Sequence, residues 1–115
     1  MARLEPRDHT ISLAIAAEYT RRHRTSGTPG GTMEAAKAGS KEPNGASFHA
    51  DQVLKLLQQP GCSGLRIYYG RDNKGEKAMV LVGVDAEGKD MTSGIMMELG
   101  LPCPPFCDPD SALIA

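Results

Sequence analysis

The chain has 115 residues, the length of one ordinary domain, with 40% hydrophobic and 23% charged residues, both close to soluble globular averages. Thirteen Lys and Arg against fourteen Asp and Glu leave a net charge of −1, without the basic excess of a nucleic-acid-binding surface. Aromatics are only 4%, so any core is built from Leu, Ile, Val, Met and Ala.

Residues Met1–His9 mix charge with Pro6 and read as a loose arm. Ile11 to Arg24 has helical spacing, with Ile11, Leu13, Ile15, Ala16 and Tyr19 on one stripe and Thr10 or Ser12 available as a cap. Glu18 and Arg22 stand four apart, the order that favours a weak surface pair. Arg21, Arg22, His23 and Arg24 fall at the helix C-terminus, where cations complement its dipole; this cluster does not point to nucleic acid. The short apolar run Ile11–Ala17 contains Ser12 and passes into Glu18, unlike a secretory leader. No apolar run approaches the roughly 20 residues of a membrane span. A cytoplasmic protein is the expectation.

Thr25 to Ala46 holds five glycines (Gly27, Gly30, Gly31, Gly39, Gly45) and little large apolar surface. Such a segment cannot offset its own ordering entropy and reads as a flexible loop; Met33–Ala38 has the composition of one or two helical turns. Gly27–Thr32 is rich in glycine but lacks the preceding strand, the following helix and the Lys-Ser/Thr of a phosphate loop.

Ser47 to Gln59 reads as a second helix, capped by Ser47, burying Val53, Leu54, Leu56 and Leu57, and ended by Pro60-Gly61. Two strand-like runs follow, Leu65–Arg71 and Lys77–Val84. The sequences after them, Asp72-Asn73-Lys74-Gly75-Glu76 and Asp85-Ala86-Glu87-Gly88-Lys89, share an Asp-x-x-Gly-charged pattern. Each predicts a three-residue hairpin loop with glycine in the left-handed position and the aspartate bonding the turn backbone. Two such loops predict three sequential antiparallel strands, the third a short edge near Lys89–Thr92. A four-residue loop would shift every pairing by one; if instead Asp72 faces Glu76, Ile67 stands opposite Leu81 and Tyr69 opposite Met79 on one face. Arg66, Tyr68, Val80, Val82 and Val84 take the other. Ala78–Val82 is apolar on both sides and requires cover on both, from helices on one face and from the C-terminal segment or another subunit on the other. Asp72, Glu76, Asp85, Glu87 and Asp90 gather at the hairpin tips, where turn chemistry accounts for them without a calcium ion.

Ser93–Leu99 has the composition of a short last helix ended by Gly100. Leu101–Cys107, with three prolines, favours extended or polyproline geometry, and the last eight residues are expected to fray unless Leu113 and Ile114 dock. The expected architecture is therefore α+β: a single small domain of two helices packed on a three-stranded antiparallel β-meander, with a Pro/Cys-containing C-terminal segment.

Cys62, Cys103 and Cys107 are the one chemically suggestive group. Together with His49 they could supply a zinc set, although one pair and two single ligands is not the two-knuckle spacing of structural zinc. A local Cys103–Cys107 disulfide or redox pair is a second reading. The third is that all three pack as small apolar side chains under the sheet. His9, His23 and His49 share no ligand spacing, and neither His-Glu-x-x-His nor Gly-x-Ser-x-Gly occurs, so no catalytic residue is assigned and no cofactor is expected. Arg66, Tyr68 and Tyr69 are the candidate binding residues, since Arg and Tyr combine apolar area with polar tips at interfaces; ordinary packing on a pleated sheet is the competing explanation.

Three stretches, Pro60–Tyr69, Leu81–Asp85 and Leu101–Cys107, give the chain a further likeness. Over residues 48–107 it resembles a group of small uncharacterised bacterial proteins with no assigned activity, so the resemblance implies no catalytic residue. The segment 25–46 is longer than that group leads one to expect. These features favour a non-enzymatic interaction protein, a subunit of a bacterial assembly that takes a protein partner or a second copy. The alternative is a thiol-redox or metal-binding protein using Cys103, Cys107 and Cys62.

Overall fold

A computed structural model of the chain describes residues 3–26 and 44–114. Their elements are α1 (Leu13–Ser26), β1 (Gly45–Ser47), α2 (Ala50–Leu57), β2 (Gly64–Arg71), β3 (Lys77–Val84), β4 (Met96–Met97) and β5 (Leu101–Cys103). Most of the glycine-rich stretch, with Gly27–Thr32 and Met33–Ala38, lies outside the described residues. The described chain is α+β and divides into two compact units: residues 3–7 with Ser47–Leu101, and residues 8–26, 44–46 and 102–114.

The first unit is built on the meander β2-β3-β4. β2 and β3 pair antiparallel over eight residues each, with Ile67 opposite Leu81, Tyr69 opposite Met79, Arg66 opposite Val82 and Tyr68 opposite Val80. Both hairpin loops close alike. Asp72 Oδ1 accepts from the Lys74 and Glu76 amides at 2.9 and 3.0 Å, and Asp85 Oδ1 from those of Glu87 and Lys89 at the same distances. Gly75 and Gly88 take φ of 79° and 84°, the left-handed region where a Cβ is penalised.

The third strand departs from expectation. The chain leaves the second loop antiparallel to β3, with Asp90 bridged to Val84 and the Met91 amide donating to Gly83 O at 2.8 Å. It then turns at Met91–Gly94 and resumes pairing later, with Met96 opposite Val82 and Met97 opposite Leu81. The predicted final helix over Ser93–Leu99 is therefore replaced by a turn and β4. Pairing with β3 takes up the backbone groups there, and Gln59 Oε1 accepts from the Ile95 amide at 2.8 Å.

α2 is shorter than expected. Ser47 belongs to β1, and the helix starts at His49, whose Nδ1 accepts from the Asp51 amide at 3.1 Å. Of the expected stripe, Leu56 is fully buried, Val53 is partly covered, and Leu54 and Leu57 stay exposed. The helix contacts β2 and β3. Gly83 marks the approach: a Cβ there would lie 3.1 Å from Cys62 Sγ and 3.2 Å from Gln59 Nε2. The face carrying Leu81 and Gly83 is thus covered by α2 and the turn after it.

The opposite face carries Val82 and Val84, 2% and 1% exposed. Part of its cover was unexpected. The N-terminal arm is docked, not loose: the Leu4 amide donates to Ala86 O at 3.3 Å, and Leu4 Cδ2 would stand 2.8 Å from a Cβ at Gly64.

In the second unit, α1 is capped by Ser12, whose Oγ accepts from the Ile15 amide at 3.2 Å. Leu13, Ile15 and Tyr19 are exposed. Glu18 pairs with Arg21 and with Arg22, the latter at 3.4 Å, and Arg22 lies over the Tyr19 ring at 5.8 Å. β1 and β5 form a two-stranded pair, flanked by the Asn44 amide donating to Cys103 O at 2.5 Å. The tail 108–114 is a series of turns, and Arg24 donates to Leu113 O.

Candidate functional site

Among the described residues β2 is an edge strand, so its residues meet described strand neighbours on one side only. Alternation sends Arg66 and Tyr68 to the Val82 face and Ile67 and Tyr69 to the Leu81 face. The three binding candidates are therefore not one cluster. Arg66 and Tyr68 come together; Tyr69 stands on the other side.

Arg66 and Tyr68 converge on Asp90. Arg66 Nη1 donates to Asp90 Oδ1 at 2.5 Å and to Gly88 O at 3.3 Å, and the Tyr68 hydroxyl donates to Asp90 Oδ2 at 2.5 Å. Arg66 comes from one side of β3 and Asp90 from the other, each on the Val82–Val84 face. Their ion pair bridges that strand, and the aliphatic stem of the arginine helps to cover the valines. The Tyr68 hydroxyl, followed by Arg66, holds the Asp90 carboxyl below its ordinary value against the opposing effect of desolvation, and Asp90 in turn raises Arg66. Asp90 is thus no hairpin-tip residue, as its spacing suggested. The signal in the sequence was its position two residues after the loop glycine, already on the returning strand.

On the other face Tyr69 is 78% exposed and Ile67 48%, while Tyr68 on the first face is 46% exposed. Lys77 Nζ lies 5.8 Å from the Tyr69 ring centroid. Three consecutive large side chains on an open edge, two of them aromatic, form the most exposed apolar stretch of the meander.

Elsewhere in the first unit, a groove of about 490 Å³ runs between the start of α2 and β4, walled by Phe48, Met96, Met97 and Leu101 with His49 and Glu98 beside them. Leu99, at its rim, has φ of 63° and is 86% exposed.

The three cysteines divide between the units. Cys103 and Cys107 form a disulfide with a Cα–Cα distance of 4.7 Å across the five-residue loop Cys-Pro-Pro-Phe-Cys, in which the Phe106 amide donates to Pro102 O at 2.8 Å. The expected extended path holds over β5 and gives way to a turn at 104–106, and these two cysteines are bonded instead of packed under the sheet. Cys62 is a free thiol, partly buried against Gly83, donating to Gly64 O at 3.1 Å. Among the described residues no group of three or more His, Cys, Asp and Glu side chains could hold a metal ion, and His49 serves as a helix cap. No described helix is long and apolar enough to cross a membrane.

No family model, no curated protein and no solved structure matches the chain.

Proposed function

We propose that this is a small non-enzymatic interaction protein, a subunit of a bacterial assembly, that engages a protein partner through β2. The observation supporting this reading is the run Ile67-Tyr68-Tyr69, large side chains exposed on an edge strand. Aromatic residues and arginine are the types enriched where protein surfaces meet. The backbone polar groups of an edge strand add directional bonding that a smooth surface lacks. A photo-crosslinking phenylalanine analogue at position 69, with position 87 as control, tests the reading in the native cell. A defined protein adduct at 69 and none at 87 is expected; no adduct at 69 would end it.

A second reading, thiol redox, rests on the Cys103–Cys107 disulfide within five residues. So tight a pair can cycle between dithiol and disulfide with little rearrangement elsewhere. We place the protein in the cytoplasm; a Cys103–Cys107 bond that persists in cells lysed under thiol-blocking conditions would argue for an oxidising compartment instead.

A further inference from the structure

We propose that the occupant of the β2 edge is a second copy of this chain, its β2 paired antiparallel to the first so that two three-stranded sheets become one. This inference rests on the reading of β2 as an interaction surface and names its partner.

The two edges of the meander differ. β4 is two residues long and preceded by a turn, so it offers little template. β2 runs eight residues in unbroken one-to-one register with β3 and contains no proline. Natural sheets guard such edges with proline, bulges or outward charge. Here Arg66 is drawn onto the sheet face by Asp90, and Ile67-Tyr68-Tyr69 carries no charge.

The register fixes which backbone groups are open. The Asp72 amide donates to Glu76 O at 2.8 Å, which makes that pair hydrogen-bonded. Alternation then makes 70–78, 68–80 and 66–82 hydrogen-bonded pairs as well. Leu65, Ile67 and Tyr69 therefore aim their N–H and C=O groups away from β3.

An antiparallel edge can pair with itself about a two-fold axis. With the axis at Ile67, that residue meets its own copy, Leu65 meets Tyr69 of the second copy, and Arg66 meets Tyr68 of the second copy. Apolar faces apolar on one side and cation faces aromatic ring on the other, with about six new backbone bonds. An axis at Tyr68 is poorer, because it sets Leu65 against Arg71. No like charges are opposed at Ile67, and a net charge of −1 per chain raises little repulsion.

Sedimentation equilibrium of the full chain tests this over roughly 1–100 μM protomer. The wild type is expected at twice the 12.2 kDa chain mass. Ile67→Lys and Ile67→Glu each set like charges together at the axis, so each alone should weaken dimerisation at least tenfold, and an equimolar mixture should restore the dimer. Circular dichroism checks that both variants fold; if either does not, Tyr69→Lys, which sets an uncompensated cation against Leu65 of the second copy, is read alone for loss of the dimer. A wild type that stays monomeric throughout, or variants that dimerise as the wild type does, would overturn the pairing. A monomeric wild type that still forms a defined adduct from position 69 with a different protein leaves the interaction reading standing and removes only the second copy.

Discussion

Arg66 and Asp90 stand 2.5 Å apart although a whole strand separates the backbones that carry them. Their pair lies across β3 on the face of Val82 and Val84 and ties the returning chain to β2, which it does not otherwise touch through the backbone ladder. With Tyr68 on the second carboxylate oxygen, both oxygens of Asp90 are satisfied.

The Asp90 carboxyl should therefore titrate below an ordinary aspartate in side-chain NMR. Tyr68→Phe, which deletes the largest contribution, should raise it more than a distant tyrosine change would. A group depressed on folding contributes stability above its unfolded value, near 3.9, and loses it as pH falls through the folded value. Asp90→Asn should thus lower the melting temperature by a few degrees at neutral pH and shrink the loss of stability below pH about 4. An unchanged acid limb would remove Asp90 from this role.

Gly75→Ala and Gly88→Ala force a Cβ into the left-handed region. Each should cost roughly 1–2 kcal/mol in urea unfolding, and the two should add because the hairpin loops lie at opposite ends of β3. Gly70→Ala, with nothing within 4 Å of its Cβ position, should cost well under that.

Leu4→Ala should destabilise the protein by about 1 kcal/mol, from lost apolar contact on a half-covered leucine. A loose arm, as the composition implies, would make the change silent.

His49→Ala should cost about 1 kcal/mol through the lost cap of α2, and His49→Asp should restore most of it.

Much of the meander was readable because it is local. The repeated Asp-x-x-Gly pattern set both loops and left two registers open; the structure takes the three-residue loop, with Ile67 opposite Leu81. What failed depended on distant partners. Ser47 is a good helix cap, but strand pairing with residues 101–103 claimed it, and the cap passed to His49. Met96 and Met97 look helical until β3 offers open bonding groups. Leu4 sits in a charged arm, and only a glycine opposite it, Gly64, leaves room for its side chain. Of the candidate site, Tyr69 is exposed. The separation of Tyr69 from Arg66 and Tyr68 followed from strand alternation alone, whereas the meeting of Arg66 with Asp90 was missed because Asp90, although inside the third strand expected near Lys89–Thr92, reads as turn chemistry at a hairpin tip. The Cys103–Cys107 pairing was one of three readings that spacing alone left open.

Ordinary thiol titration of the unfolded, unreduced protein should find one thiol, Cys62, rising to three after reduction. Three thiols before reduction would remove the basis of the redox reading.

Which side chains share a face, and which backbone groups the edge of β2 leaves open, both descend from the β2–β3 register. Two-dimensional NMR reads it through close Hα–Hα contacts, which arise between residues of non-hydrogen-bonded antiparallel pairs. Cross-peaks linking Ile67 to Leu81 and Tyr69 to Met79 are predicted. Cross-peaks displaced by one residue, or a helical pattern over 64–84, would contradict the arrangement from which the contact surface is drawn.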